Sequence, residues 1–128
     1  MVRVAIDTNR YVDVAAGVPE ALAVARRADE ILIPFVTLAE LRAGFLCGSR
    51  SARNERNLIR FLDSPRVEPL FADEATTHVY ARLFRQLREQ GTPIPTNDLW
   101  VAALVVQHNL YLFARDQHFD CLPQIPRV

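Results

Sequence analysis

Four carboxylates stand where chemistry tends to gather. Asp7 closes the apolar run Val2–Ile6, and Glu40 follows Thr37 by three residues. Asp98 comes after a proline-rich loop, and Asp116 follows the apolar Tyr111–Phe113. In open parallel sheets, functional groups collect at the carboxyl ends of strands and at the helix starts beside them. Each acid also has an ordinary role. Glu40 completes a T-x-x-E capping box with Thr37. Asp98 favours the positive end of a helix, Asp7 caps the next helix, and Asp116 shapes a turn. Brought into one cleft, a pair of them repels by about 4 kcal/mol at roughly 4 Å and an effective dielectric of about 20. Either a cation offsets that repulsion or some of the acids stay protonated. An oxygen-only donor set suits Mg2+ or Mn2+ rather than zinc. The chemistry that follows is phosphodiester hydrolysis by an acidified water.

The elements that must position these groups are legible in the pattern. Val2–Ile6 reads as a buried strand, and Tyr11–Ala16 as a short helix ended by Gly17. Pro19 starts a helix reaching Arg27. Ile31–Ile33 is a second strand closed by Pro34, and Thr37 opens a helix to Gly48. Ser51–Leu62 is a further helix with Leu58, Phe61 and Leu62 on its apolar side, stopped by Pro65. Val67–Leu70 is a third strand. Asp73 starts the clearest helix, where Val79, Tyr80, Leu83, Phe84 and Leu87 recur at helical spacing until Gly91. Gly91–Asn97 is a loop, and Asp98 opens a nearly all-apolar helix to His108 that should be buried. Tyr111–Phe113 is the fourth strand, and Pro123–Val128 is a candidate edge strand. Short apolar strands alternating with helices predict an α/β fold with a mostly parallel sheet of four or five strands.

Composition removes several alternatives. With 128 residues, 50% of them hydrophobic, the chain is expected to be one domain over residues 1–128. Net charge is zero, so no global field draws in nucleic acid or membrane. All 15 basic residues are arginine. The absence of lysine excludes a Walker A loop, a Schiff-base lysine and the kinase lysine. Cys47 and Cys121 are far apart, and with three scattered histidines they fill no zinc pattern. Buried free thiols are the expectation. The longest apolar run, Leu99–Val106, is far short of the roughly 18 residues of a membrane span. Asp7 interrupts the N-terminus before a signal-peptide apolar stretch could form, so a cytoplasmic protein is expected.

The four acids lie in segments that resemble the motifs of PIN-domain nucleases. Ala5-Ile6-Asp7-Thr8-Asn9 resembles the opening motif, and Val36–Gly44, with Glu40-Leu41-Arg42-Ala43-Gly44, the second. Asn97-Asp98-Leu99-Trp100-Val101-Ala102-Ala103 resembles the third, and Phe113–Phe119 the closing one. The family often has Thr or Ser two before the last acid; here Ala114 stands there, removing a hydroxyl contact. The size and the E-L-R-x-G form are most similar to the VapC-type toxins of prokaryotic toxin–antitoxin pairs. That resemblance implies an Mg2+-dependent endoribonuclease, with Mn2+ able to substitute. It implies a homodimer held inactive by a VapB-type antitoxin, and a three-layer fold with helices on both faces of the sheet. Asp7 and Asp98 would be the principal metal ligands. Glu40 would hold the metal directly or through water, or take a proton from the attacking water. Asp116 would complete the acidic pocket. Thr8 and Asn9 would orient Asp7. Thr96 and Asn97 would orient Asp98 or cap its helix.

Other residues carry less. Arg50, Arg53, Arg56 and Arg60, and likewise Arg82, Arg85 and Arg88, read as solvated helix faces. Arg115, beside Asp116, either touches RNA or pairs with a carboxylate. His118 reads as a local turn contact rather than a proton donor. Trp100 and Tyr80 read as core or dimer contacts. Asp13, Asp29, Asp63 and Asp120 read as solvated acids, with Asp120 the nearest rival for a fifth place in the pocket. An aspartyl phosphatase would want D-x-D where this chain has D-T-N, and a phosphate-binding lysine that it lacks. A dinucleotide binder would want a glycine-rich turn at the same place. The remaining alternative is a catalytically inert PIN-like module that binds RNA or a protein partner.

Overall fold

The fold is built on a parallel sheet whose strands are short and apolar. The structure, a computed structural model, describes residues 1–128. Strands β1 (Arg3–Ile6), β2 (Glu30–Pro34), β3 (Val67–Leu70) and β4 (Tyr111–Phe113) lie in the order β3-β2-β1-β4. Every pairing is parallel, with Ala5 opposite both Leu32 and Leu112. Parallel strands need crossover connections, and helices supply them. These are α1 (Thr8–Ala15), α2 (Pro19–Arg27), α3 (Phe35–Cys47), α4 (Ser51–Leu62), α5 (Glu74–Gln90) and α6 (Thr96–His108). A short 3-10 helix, Gln117–Cys121, follows β4.

Strand side chains alternate between faces, and two cores result. Ala5, Leu32 and Leu112 face one core with Val79, Leu83 and Leu87 of α5 and Leu99, Val101, Ala102, Ala103 and Val105 of α6. Val4, Ile6, Ile31, Ile33 and Phe113 face the other, with Tyr11, Ala21, Leu41 and Leu58 from α1 to α4. Helices therefore cover both faces, giving the expected three layers. The sheet has four strands. The candidate edge strand Pro123–Val128 reduces to one parallel bridge, Leu112 to Arg127. Around that bridge, Leu112 N–H donates to Pro126 O at 2.8 Å and Val128 N–H to Leu112 O at 3.0 Å.

Helix starts differ from the sequence expectation in a way that matters for the site. α3 begins at Phe35 with Pro34 as its N-cap and no side-chain cap. The T-x-x-E capping box therefore does not form. Thr37 lies inside the first turn, fully buried, and its hydroxyl finds no partner. α6 likewise begins at Thr96 behind Pro95, and Thr96 and Asn97 cap nothing. Proline suits these positions because its fixed φ feeds a helix and its missing N–H is not needed there. α1 starts at Thr8, earlier than its apolar residues suggest, and Asp7 at its N-cap position makes no side-chain cap bond. Asp73 is the contrast. Its carboxylate accepts from Thr76 N–H in a complete capping box at the start of α5.

The thiols also depart from expectation. Cys47 is exposed at the end of α3, and Cys121 is half-buried, so neither is a core residue. No helix is long and apolar enough to cross a membrane.

Candidate metal centre

The site forms where β1 and β4 end side by side. Asp7 directly follows β1, and its N–H donates to Phe113 O, the last carbonyl of β4, at 3.0 Å. That bond fixes the end of β1 against the segment that leads to Asp116. The Asp7 residue is 7% exposed. Its carboxylate takes no side-chain hydrogen bond, and the Thr8 backbone N–H is its main hydrogen-bonding relief. Burial therefore dominates and pushes its pKa from 3.8 up to about 6, with the charges of Asp98, Glu40 and Asp116 adding to the rise. The four acids thus share one electrostatic neighbourhood, although Asp7 and Asp116 are far apart in the chain.

Each neighbour arrives from a different element. Glu40 lies in the second turn of α3, exposed, and its Oε1 accepts from Thr8 Oγ1 at 2.9 Å. Asp98 lies in the first turn of α6, with its side chain 14% exposed. Burial raises its pKa and outweighs the opposing hydrogen bond from His118; Asp116 adds to the rise. Asp116 is the N-cap of the 3-10 helix, where its Oδ1 accepts from His118 N–H at 2.9 Å.

His118 is the functional candidate that sequence reasoning undervalued. Its Nδ1 lies 2.8 Å from Asp98 Oδ2 and 2.9 Å from Asp116 Oδ1. The hydrogen bond to Asp98 is the main reason its pKa rises, and the nearby Asp116 charge supports it. The local turn contact was foreseen, but the link to Asp98 joins residues twenty positions apart. The only sequence signal was its place two residues after Asp116, one short turn away.

Other expected residues fall outside the carboxylate cluster. Thr8 orients Glu40 through its hydroxyl and meets Asp7 only through its backbone. Asn9, Thr96 and Asn97 are exposed, and their side chains make no hydrogen bonds. Arg115 resolves toward a carboxylate, and that carboxylate is Asp13: Nε lies 3.2 Å from Asp13 Oδ2. Arg10 Nη1 is also 3.2 Å from Asp13 Oδ2, and its guanidinium sits over the Phe113 ring at 5.0 Å. Asp13, expected to be solvated, is thus a shielded acid between two arginines. Asp120 is no fifth member of the pocket, because it pairs with Arg127 at 2.9 Å. Trp100 and Tyr80 pack ring to ring at 4.3 Å against the core. The arginines of α4 and α5 are exposed, as expected.

No arginine pairs with the carboxylate of Asp7, Glu40, Asp98 or Asp116, and His118 is the only nitrogen base whose side chain meets any of these carboxylates. Carboxylates crowded without a protein counter-cation fit a hard divalent ion. Asp98, Asp116 and His118 each offer one ligand atom, all within 4.8 Å of one another.

Residues 4–124 match the family model for the PIN domain. The chain belongs to the PIN domain family. Among curated relatives of this PIN domain, ribonuclease VapC4 of Mycobacterium tuberculosis is 34% identical over 93 residues, covering 73% of this chain and 72% of the relative. Ribonuclease VapC5 of the same organism is 31% identical over 123 residues, covering 91% and 85%. Among solved structures, VapBC-5 from Mycobacterium tuberculosis, a member of the VapBC family of toxin–antitoxin systems, superposes with a TM-score of 0.75. That match is 29% identical and covers 100% of both chains.

Proposed function

We propose that this PIN domain, spanning residues 1–128, is a divalent-metal-dependent endoribonuclease and the toxin of a VapBC-type toxin–antitoxin pair. The observation that carries the reading is Asp7, an acid buried among three other carboxylates that no arginine neutralises. The relatives named as ribonucleases, and the toxin–antitoxin complex that shares the fold, supply the substrate class and the partner. Mg2+ is the working ion, and Mn2+ substitutes for it. The protein acts in the cytoplasm as a homodimer, with a VapB-type antitoxin to silence it.

The roles follow from position. Asp7 and Asp98 hold the ion from the end of β1 and the start of α6, and Asp116 completes the pocket from the loop after β4. When bound, a divalent cation acidifies a water and neutralises charge on the phosphoryl oxygens. Glu40, exposed and held at one oxygen by Thr8, keeps its other oxygen free to take a proton from the attacking water. RNA is gripped by arginines around the pocket, so binding weakens as salt rises.

The test is cleavage of total and structured RNA by antitoxin-free protein with Mg2+, with chelator, and with Asp98→Asn. Cleavage that requires both the metal and Asp98 supports the nuclease. RNA binding without cleavage, by folded protein that binds Mg2+, would identify an inert binding module instead.

A further inference from the structure

We propose that His118 Nδ1 is a protein ligand of the divalent cation, beside Asp98 Oδ2 and Asp116 Oδ1, and that this nitrogen makes the site hold Mn2+ more tightly than Mg2+. The inference deepens the proposed metal centre and rests on it.

Geometry carries the argument. An ion with bonds of about 2.1 Å sets adjacent octahedral ligands about 3.0 Å apart. The two edges from His118 Nδ1, 2.8 and 2.9 Å, are close to that spacing. The imidazole is also held in place. His118 N–H donates to Asp116 Oδ1 at 2.9 Å, and the next residue, Phe119, is 1% exposed and anchors the turn in the core. The ring makes no hydrogen bond outside these two acids, so the fold does not need it elsewhere. Asp7 supplies an independent sign that a cation belongs here: it is buried, lacks a side-chain partner, and feels the charges of Asp98 and Asp116.

The chemical consequence concerns selectivity. An all-carboxylate site suits Mg2+ well, whereas imidazole favours first-row transition ions. One nitrogen among oxygens leaves Mg2+ competent but gives Mn2+ the advantage. Ligation through Nδ1 puts the ring proton on Nε2, which faces no acid bonded to it here.

Pulsed electron paramagnetic resonance on the untagged full chain, loaded with Mn2+ alone, tests this directly. Nitrogen-14 modulation from a directly bound imidazole is expected, and histidine labelled with nitrogen-15 should change it to the nitrogen-15 pattern. His118→Gln should abolish the modulation and weaken Mn2+ binding by at least the roughly tenfold that losing a supporting contact costs at metal sites. Mg2+ binding should fall less. Asp98→Asn should remove tight Mn2+ binding altogether. His108 is no rival source, being ten residues and about 15 Å further along α6 than Asp98. Mn2+ bound through Asp98 without nitrogen modulation, or with modulation that survives His118→Gln, overturns the ligand assignment and leaves the carboxylate centre standing. No Mn2+ binding by folded protein overturns both. The nitrogen-15 result shows a bound histidine without any variant, and His78→Gln and His108→Gln, which should leave the modulation intact, assign it to His118 even if His118→Gln folds poorly.

Discussion

Thr8 Oγ1 donates to Glu40 Oε1 at 2.9 Å, tying the first residue of α1 to the second turn of α3. The bond joins the helix that follows β1 to the helix that follows β2, across the mouth of the site. It also fixes one oxygen of the acid proposed to accept a proton. Thr8→Val should therefore lower kcat by about tenfold, the equivalent of one hydrogen bond to a charged group. KM and thermal stability should change little, and Thr8→Ser should recover most of the loss. Steady-state cleavage of a short RNA would give kcat and KM, and a thermal melt the stability; an unchanged kcat would remove Thr8 from the machinery.

Asp7 makes the metal-free protein sensitive to pH. Its folded pKa, about 6, lies above the ordinary 3.8, so between these values the folded state holds a proton that the unfolded state has lost. Stability then falls as pH rises through that window and levels off above about pH 6. The full cost of an ionised Asp7 is on the order of 3 kcal/mol. Urea unfolding in chelator should show this decline from pH 4 toward pH 7 as the Asp7 contribution. Asp7→Asn should flatten it and be the more stable protein at pH 7. A steeper wild-type rise with pH in the same comparison would contradict the assignment.

A divalent ion should reverse that penalty. Ligands that bind only the folded state stabilise by about 2.7 kcal/mol at one hundred times their Kd. Millimolar Mg2+ should raise Tm of the wild-type protein at pH 7.5. It should do little for Asp7→Asn or Asp98→Asn. Below about pH 6, uptake should release a proton from Asp7. Calorimetry in two buffers of different ionisation enthalpy would count that proton.

Arg127 holds the loop that carries Asp116. Its Nη2 donates to Ala114 O at 2.7 Å and Asp116 O at 3.3 Å, and its guanidinium lies over Phe119 at 5.8 Å. Arg127→Ala should destabilise the fold by about 1–3 kcal/mol, since two partly buried carbonyls lose a charged donor. It should also weaken metal binding, because Asp116 and His118 lose their support. Asp120→Asn breaks only the exposed pair with Arg127 and should cost under about 1 kcal/mol. Equal effects of the two substitutions would show that the loop does not depend on the carbonyl contacts.

Much of this protein was determined locally. Apolar runs of strand length, helical spacing in α5, and an almost wholly apolar α6 identify the layers in the sequence alone, because burial imposes those periods on the chain itself. The acids at strand ends are visible for the same reason. What tertiary structure alone decided is what each acid does. Thr37 and Glu40 form a good capping box on paper, yet α3 starts at Phe35, Thr37 is buried, and Glu40 turns to Thr8 instead. Asp7 sits where a cap would, but its carboxylate meets only the first N–H of the helix, at Thr8, and its pKa is raised by burial and by three charges from elsewhere. Arg115 chooses Asp13 over its neighbour Asp116, and His118 reaches Asp98 on another helix. Hydrophobic pattern is a property of neighbours in sequence. Hydrogen bonding and ionisation depend on distances of a few ångströms between residues brought together only by packing of the layers.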